Sequence, residues 1–325
     1  MLPVLRTILA AAALAAAASP SSTAAQDYPS RSITVIVPTA TGGLTDVLTR
    51  SIAQRLAQAW GQNIIIENRG GAGHNIGAAA VGKAPPDGYT LMAVEAGTFV
   101  ANPFLYAKLP YDPDNDFEPV SGFASVPMAL LMHPSVPAHN VRDLIELAKK
   151  QPGKISYGTS GIGSSLHISI LLLEAMADVK LVPVHYRGAA PALNDLLGGH
   201  INLISMGLSI ALPQVGAGQL KLLAVGSSKR MPQLPDVPTV DESGVPGYEA
   251  GTWFGLFAPA RTPRAIVRKI HADVQRILAD PEMQNYFSPQ LLQPMIGTPE
   301  QFAAFIKSDA QKWGTIIRNA NLSLH

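Results

Sequence analysis

Two loops in this chain have the residue types and placement to do chemistry. They are Pro38-Thr39-Ala40-Thr41-Gly42-Gly43-Leu44-Thr45-Asp46 and Gly158-Thr159-Ser160-Gly161-Ile162-Gly163-Ser164-Ser165. Each joins a short apolar run to a helical pattern. Free N–H groups at a helix N-terminus attract anions, and glycine lets the backbone approach them closely. In parallel sheets the ligand crevice lies outside the carboxyl ends of the strands, where both loops fall. The candidates are therefore Thr39, Ala40, Thr41, Gly42 and Gly43 in one loop, and Ser160, Gly163, Ser164 and Ser165 in the other. The chemistry is capture of an anion by backbone amides and hydroxyls; a plain strand-to-helix turn is the other reading of each loop.

Neighbouring residues extend or compete with that reading. His167, just inside the second helical pattern, is placed either to donate to a ligand or to pack in the first turn. Arg187, at the end of the run Leu181 to His185, is either a bidentate carboxylate contact or a surface residue. Ser160, Ser164 or Ser165 with His167 would be the parts of an exported serine hydrolase. The chain lacks the second glycine of a nucleophile elbow and an acid to orient the histidine. Gly71-Ala72-Gly73-His74-Asn75-Ile76-Gly77, with Glu95 ending a later strand, imitates a dinucleotide fingerprint, but its G-x-G-x-x-x-G spacing fits a tight, close-packed turn better. The eight histidines form no metal-binding pattern, and the absence of cysteine removes thiol chemistry. The expectation is a binding protein with no catalytic residues, metal or cofactor.

The elements that hold these loops follow from periodicity. Ile33 to Val37, a β-branched run before Pro38, reads as a strand buried on both faces. Thr45 to Trp60 reads as a helix capped by Thr45 and ended by Gly61, with Asn63 to Glu67 and Thr90 to Val94 as the next strands. The middle repeats the scheme: strands at Ala129 to Met132, Lys154 to Gly158, Leu181 to His185, Ile201 to Ser205 and Leu220 to Gly226, and helices at Val141 to Lys150 (N-cap Asn140), Ser165 to Met176 and Ala190 to Leu197. Alternating strands and helices imply an α/β fold with parallel sheets. Pro263 opens a C-terminal helix, and Thr298-Pro299-Glu300-Gln301 is a capping box for a last one reaching about Asn319.

Two connectors rich in proline, Asp112 to Pro127 and Ser227 to Gly251, bracket a central block of about 100 residues, an ordinary domain size. They imply an outer lobe of residues 26–124 plus 226–325 and an inserted lobe of residues 125–225. Two crossings between them form a hinge, with a ligand cleft between the lobes. Residues 1–25 differ from the rest: Arg6, an Ala/Leu stretch from Ile8 to Ala18, and small residues ending in Thr23-Ala24-Ala25 match a signal peptide cleaved near Ala25. That points to export. Lys and Arg number 24 against 23 Asp and Glu, without like-charge runs, which excludes nucleic acid as a partner.

Dispersed motifs then carry a resemblance. Tyr28-Pro29-Ser30-Arg31, Thr45-Asp46, Glu67-Asn68-Arg69, Gly71-Ala72-Gly73, Pro86-Asp87-Gly88-Tyr89-Thr90, Asn102-Pro103 and Leu109-Pro110-Tyr111-Asp112 come in that order. Asp195-Leu196-Leu197-Gly198-Gly199, Leu234-Pro235-Asp236-Val237-Pro238-Thr239, Pro246-Gly247-Tyr248-Glu249 and Trp253-Phe254-Gly255-Leu256 follow. Together they resemble the substrate-binding proteins of tripartite tricarboxylate transporters, the Bordetella-type uptake receptors. The resemblance implies a two-lobed, type II periplasmic binding fold that binds a small organic carboxylate in the periplasm and delivers it to membrane transporter subunits; nothing in the sequence suggests more than a monomer. A ligand sensor for a membrane signalling protein is the alternative on the same fold. It also implies binding roles for the two loops, His167 and Thr98. Where the family commonly has Phe-Ala-Pro-Gly-Gly, this chain has Thr39-Ala40-Thr41-Gly42-Gly43. Many members carry an Asp in the segment occupied here by Ser205-Met206-Gly207, and its absence argues against pairing a ligand ammonium there.

Overall fold

The computed structural model describes residues 28–319; the leader expected at residues 1–25 lies outside them. The chain runs β1 (Ile33–Val37), α1 (Leu44–Trp60), β2 (Ile64–Asn68), α2 (Asn75–Gly82), β3 (Thr90–Glu95), α3 (Gly97–Val100), α4 (Asn102–Leu105) and β4 (Phe117–Met132). It continues α5 (Val141–Lys150), β5 (Ser156–Thr159), α6 (Ser165–Ala177), β6 (Val182–His185), α7 (Ala189–Leu197), β7 (Leu203–Gly207), α8 (Leu212–Gly216) and β8 (Lys221–Val225). It ends β9 (Gly251–Pro259), α9 (Arg264–Ala279), α10 (Pro281–Phe287), β10 (Gln293–Pro294) and α11 (Pro299–Asn319).

Strands pair in the order β2-β1-β3-β9-β4-β7-β5-β6, with β8 and β10 both on β4. The long β4 serves two sheets. Its Phe117–Pro127 part lies antiparallel to β9, and Met128–Met132 pairs with β7 and β8 instead. Helices cover both faces of the sheet that contains β1, and side-chain alternation shows it. Ile33, Val35 and Val37 share one apolar cluster with Leu48, Ile52 and Leu56 of α1 and Ile266, Ile270 and Val274 of α9. Ile36, Met92, Val94 and Phe257 point the other way, into a cluster with Val81, Phe99 and Phe302. A strand with apolar residues at successive positions is stable only when both faces are buried, as β1 is.

Local signals set most element ends. Asn140 caps α5 by accepting from the Asp143 N–H at 2.9 Å. Thr298 and Gln301 exchange bonds as a capping box at the start of α11. Two expectations need correction. Helix α1 is capped by Gly43, whose backbone is extended, and Thr45 lies inside it, its carbonyl accepting from the Thr49 hydroxyl. The stretch Asp112 to Pro127 is a connector only as far as Asp116; from Phe117 it is strand. Its prolines mislead because Pro119 sits beside a register shift against β9, where a missing N–H is tolerated. The equally buried β9 has no counterpart among the sequence-based strands.

Three chain segments meet where the sheets join. Met128 N–H donates to the Ala250 carbonyl, Ala250 N–H to the Gly226 carbonyl, and Gly226 N–H to the Met128 carbonyl. A Cβ on Gly226 would lie 2.6 Å from the Ala250 carbonyl oxygen and 3.1 Å from that of Met128. Both obstacles are backbone, so the strands themselves must move. Gly226→Ala is expected to cost about 1–3 kcal/mol, read as a lower urea-unfolding midpoint; an unchanged midpoint would show that this junction is soft.

Candidate functional site

The first loop is held in shape by one buried acid. Asp46, in the first turn of α1 with its side chain 2% exposed, accepts from the Gly42 N–H at 2.9 Å, Arg50 Nε at 3.0 Å and Asn68 Nδ2 at 3.0 Å. Asn68 also donates to the Thr39 carbonyl and accepts from the Thr41 hydroxyl. Burial by itself pushes the Asp46 carboxyl up; Arg50, the Gly42 N–H and Asn68 outweigh it and hold it below the usual carboxylate range. The loop therefore keeps Gly42 in the left-handed region and leads through Gly43 into the open amides of α1.

The second loop is organised from within. Ser164 caps α6, accepting from the His167 N–H, and the Gly163 N–H donates to His167 Nδ1 at 3.1 Å. Burial, with His185 nearby, pushes His167 down to about 3, so it remains neutral. His167 braces the loop. Ser160 Oγ donates toward Glu95 Oε1 at 3.5 Å, and Ser165 Oγ lies 2.7 Å from Thr252 Oγ1. With the hydroxyls of Ser160, Ser164 and Ser165 engaged this way and His167 Nδ1 occupied by an amide, the parts are not arranged as a nucleophile and its base.

The two loops face each other across a narrow cleft. Ala40 N–H donates to the Arg187 carbonyl at 2.9 Å, and Tyr106 OH donates to the Ile162 carbonyl at 3.1 Å. The Gly71-Ala72-Gly73 turn lies against the second loop: a Cβ on Gly73 would collide with the Ile162 carbonyl. The dinucleotide-like spacing is thus a close backbone approach. Between the loops lies a cavity of about 30 Å³, room for about a water molecule. Thr39, Gly43, Leu44 and Thr45 line it from one side and Ser160, Leu166, Met206 and Gly207 from the other, with Ala189 at the start of α7. Thr252, Phe254 and Glu95 complete it. Thr39 Oγ1 is buried without a protein partner.

Of the residues expected from sequence, Thr39, Gly43 and Ser160 reach this cavity. Ala40, Thr41, Gly42, Gly163, Ser164, Ser165 and His167 belong to the two loops and the start of α6 but not to the cavity lining. Thr98 is fully buried behind it, 3.2 Å from His74 Nδ1. Arg187 contributes its carbonyl, while its side chain is outside the cavity lining. The residues missed are Glu95 and its neighbour His74, 3.5 Å apart. A signal for them is present in the sequence: both belong to the dinucleotide-like pattern, whose wrong glycine spacing for a nucleotide hides their separate role.

Two α/β lobes joined through crossing strands, with glycine-rich loops facing each other across a cleft, define the two-lobed fold of periplasmic binding proteins. The model of the tripartite tricarboxylate transporter family receptor matches residues 48–322, and the chain belongs to that family. The Bordetella pertussis protein BugT is 32% identical over 325 residues, spanning 100% of this chain and 98% of BugT. R. palustris Rpa4515 with adipate superposes with a TM-score of 0.88 at 37% identity, covering 92% of this chain and 100% of that one. The periplasmic binding protein BugD does so with a TM-score of 0.86 at 36% identity, covering 91% and 100%.

Asp46→Asn removes the charge that gathers the first loop. It is expected to cost about 2 kcal/mol at neutral pH. Because the folded carboxyl is held low, that stability is present above the carboxylate range and is lost as pH falls through the folded value. Wild type and variant should therefore converge in unfolding midpoint in acid, and a gap of constant size would refute the charge-based account.

Proposed function

We propose that this chain is an exported receptor that captures a small organic carboxylate between its lobes and delivers it to the membrane subunits of a tripartite tricarboxylate transporter. One observation carries the reading: the open N-termini of α1 and α7 and the unpartnered Thr39 hydroxyl converge on one small cavity at the strand ends. Helix N-termini favour anions through both free N–H groups and the helix dipole. The adipate bound by the R. palustris relative supports the ligand class, and the periplasmic relative BugD supports the periplasm as location.

In this reading the outer lobe is residues 26–124 plus 226–325, the inner lobe residues 125–225, and the protein works as a monomer without cofactor or metal. Thr39, Gly43 and Ser160 contact the ligand, and Ser165 stands behind them at the start of α6. Ala40, Thr41, Gly42, Gly163, Ser164, His167, Thr98 and the Arg187 backbone hold those contacts in place. The cavity is too small for a dicarboxylate with the lobes this close, so the lobes part to admit ligand and close on it.

A carboxylate at about 100 times its dissociation constant stabilises the mature protein by about 2.7 kcal/mol, a rise in thermal midpoint that a screen of acids, sugars and amino acids resolves. A response to neutral solutes alone would sink the proposal. Small-angle scattering of refolded, ligand-stripped protein should contract on adding the ligand found; identical profiles would remove lobe closure. Gly43→Val adds methyl groups toward Ala189 Cβ, which lies 3.8 Å from where the new Cβ would stand. That change is expected to weaken binding about tenfold or more while leaving the unfolding midpoint of the free protein unchanged. Undiminished affinity would take the first loop out of the site.

A further inference from the structure

Glu95 is the single charged side chain among the described residues lining the cavity. It ends β3 with its side chain 5% exposed. Its Oε1 is 3.4 Å from the Ser165 N–H, 3.5 Å from Ser160 Oγ and 3.5 Å from His74 Nε2. The carboxylate thus stands at the N-terminus of the 13-residue α6, where an incoming carboxylate would otherwise bind. These contacts are at the long limit for hydrogen bonds, so a donor on a ligand can compete with them.

The neighbouring imidazole does not cancel the charge. His74 is buried, which pushes it down against the raising influence of Glu95 and the Ser160 backbone, and keeps it neutral. Its Nε2 has no hydrogen-bond partner. The two ends of the cleft therefore differ in sign. The α1 end offers amides and the free Thr39 hydroxyl to an anion; the α6 end already contains an acid.

We propose that Glu95 is the specificity-determining residue of the cleft, receiving the protonated amine of a zwitterionic ligand whose carboxylate binds at the α1 end. This deepens the carboxylate-receptor reading and rests on it. The ligand class is carboxylates that also carry an ammonium group. A dianion of the same length would put its second carboxylate against Glu95, like charge on like charge with little water between, and is selected against.

Calorimetric titration of the mature protein with length-matched pairs tests this: L-glutamate against glutarate, and aminohexanoate against adipate. Wild type is expected to prefer the aminated member of one pair by about tenfold or more. Glu95→Gln keeps the side chain's size and is expected to erase or reverse that preference. Tighter binding of the dianions by wild type, with a ratio that Glu95→Gln does not move, overturns the role of Glu95 and leaves the carboxylate receptor standing. If Glu95→Gln does not fold, the wild-type ratio decides alone. Hexylamine binding as tightly as aminohexanoate would instead sink the carboxylate reading while keeping Glu95 as the amine site.

Discussion

The buried carboxylate of Asp46 is the interaction on which the rest of the site depends. It collects the Gly42 N–H from the loop before it, the Arg50 guanidinium from the next turn of α1 and the Asn68 amide from the end of β2. Nothing in the first loop is regular secondary structure, and five or so residues of free loop would cost conformational entropy of about 1–2 kcal/mol each to order. Asp46 provides the fixed point. Once Gly42 is held, Gly43 enters α1 in an extended conformation, Thr39 turns its hydroxyl into the cavity, and the Ala40 N–H is presented to the opposite lobe. The same carboxylate near the N-terminus of α1 is favourable for the helix dipole, so folding the helix and shaping the loop reinforce each other.

Backbone as well as side chain forms the contact between lobes. Ala40 meets Arg187 main chain to main chain, and Gly73 lies against the Ile162 carbonyl. This explains why the glycines cluster in loops at the strand ends. It also explains how a short motif could imitate a nucleotide fingerprint: both need a backbone that something can approach closely, and here the visitor is the facing lobe. Ser165 and Thr252 add one side-chain bond of 2.7 Å across the cleft.

Much of the architecture is legible in the sequence because its signals are local. The Ile33–Val37 run, the Asn140 cap and the Thr298–Gln301 capping box depend on residues a few positions apart, and the structure holds them as read. Only the Ala129–Met132 end of strand β4 is legible, because Pro119 and Gly122 sit at register shifts that the partner strand alone defines. The two anion loops are legible as strand-to-helix junctions with glycine, yet which of their groups reach the cavity depends on the opposite lobe. Arg187 illustrates the limit: its residue type suggests a charge contact, while the bond that ties it to the first loop comes from its carbonyl. Ser205-Met206-Gly207 carries no acid. Met206 and Gly207 do line the cavity, but the acid comes from Glu95 at the end of β3, in the other lobe, a juxtaposition no local pattern encodes.

A receptor must close because of its ligand, which limits how strongly its lobes can hold each other without one. The direct bonds named across the cleft, from Ala40, Tyr106 and Ser165, are each worth about 1 kcal/mol net. The contacts of Glu95 with Ser160 and Ser165 are long, at 3.5 and 3.4 Å, and contribute less. Their total is small enough for one ligand to decide the balance, since moving a two-state equilibrium from one extreme to the other takes about 5.5 kcal/mol of differential affinity. A shorter, fully satisfied Glu95 would hold the lobes shut and leave the ligand little to contribute. With contacts this long it remains a site where a ligand's own donor can compete, so the same group that biases selection also makes closure conditional on binding.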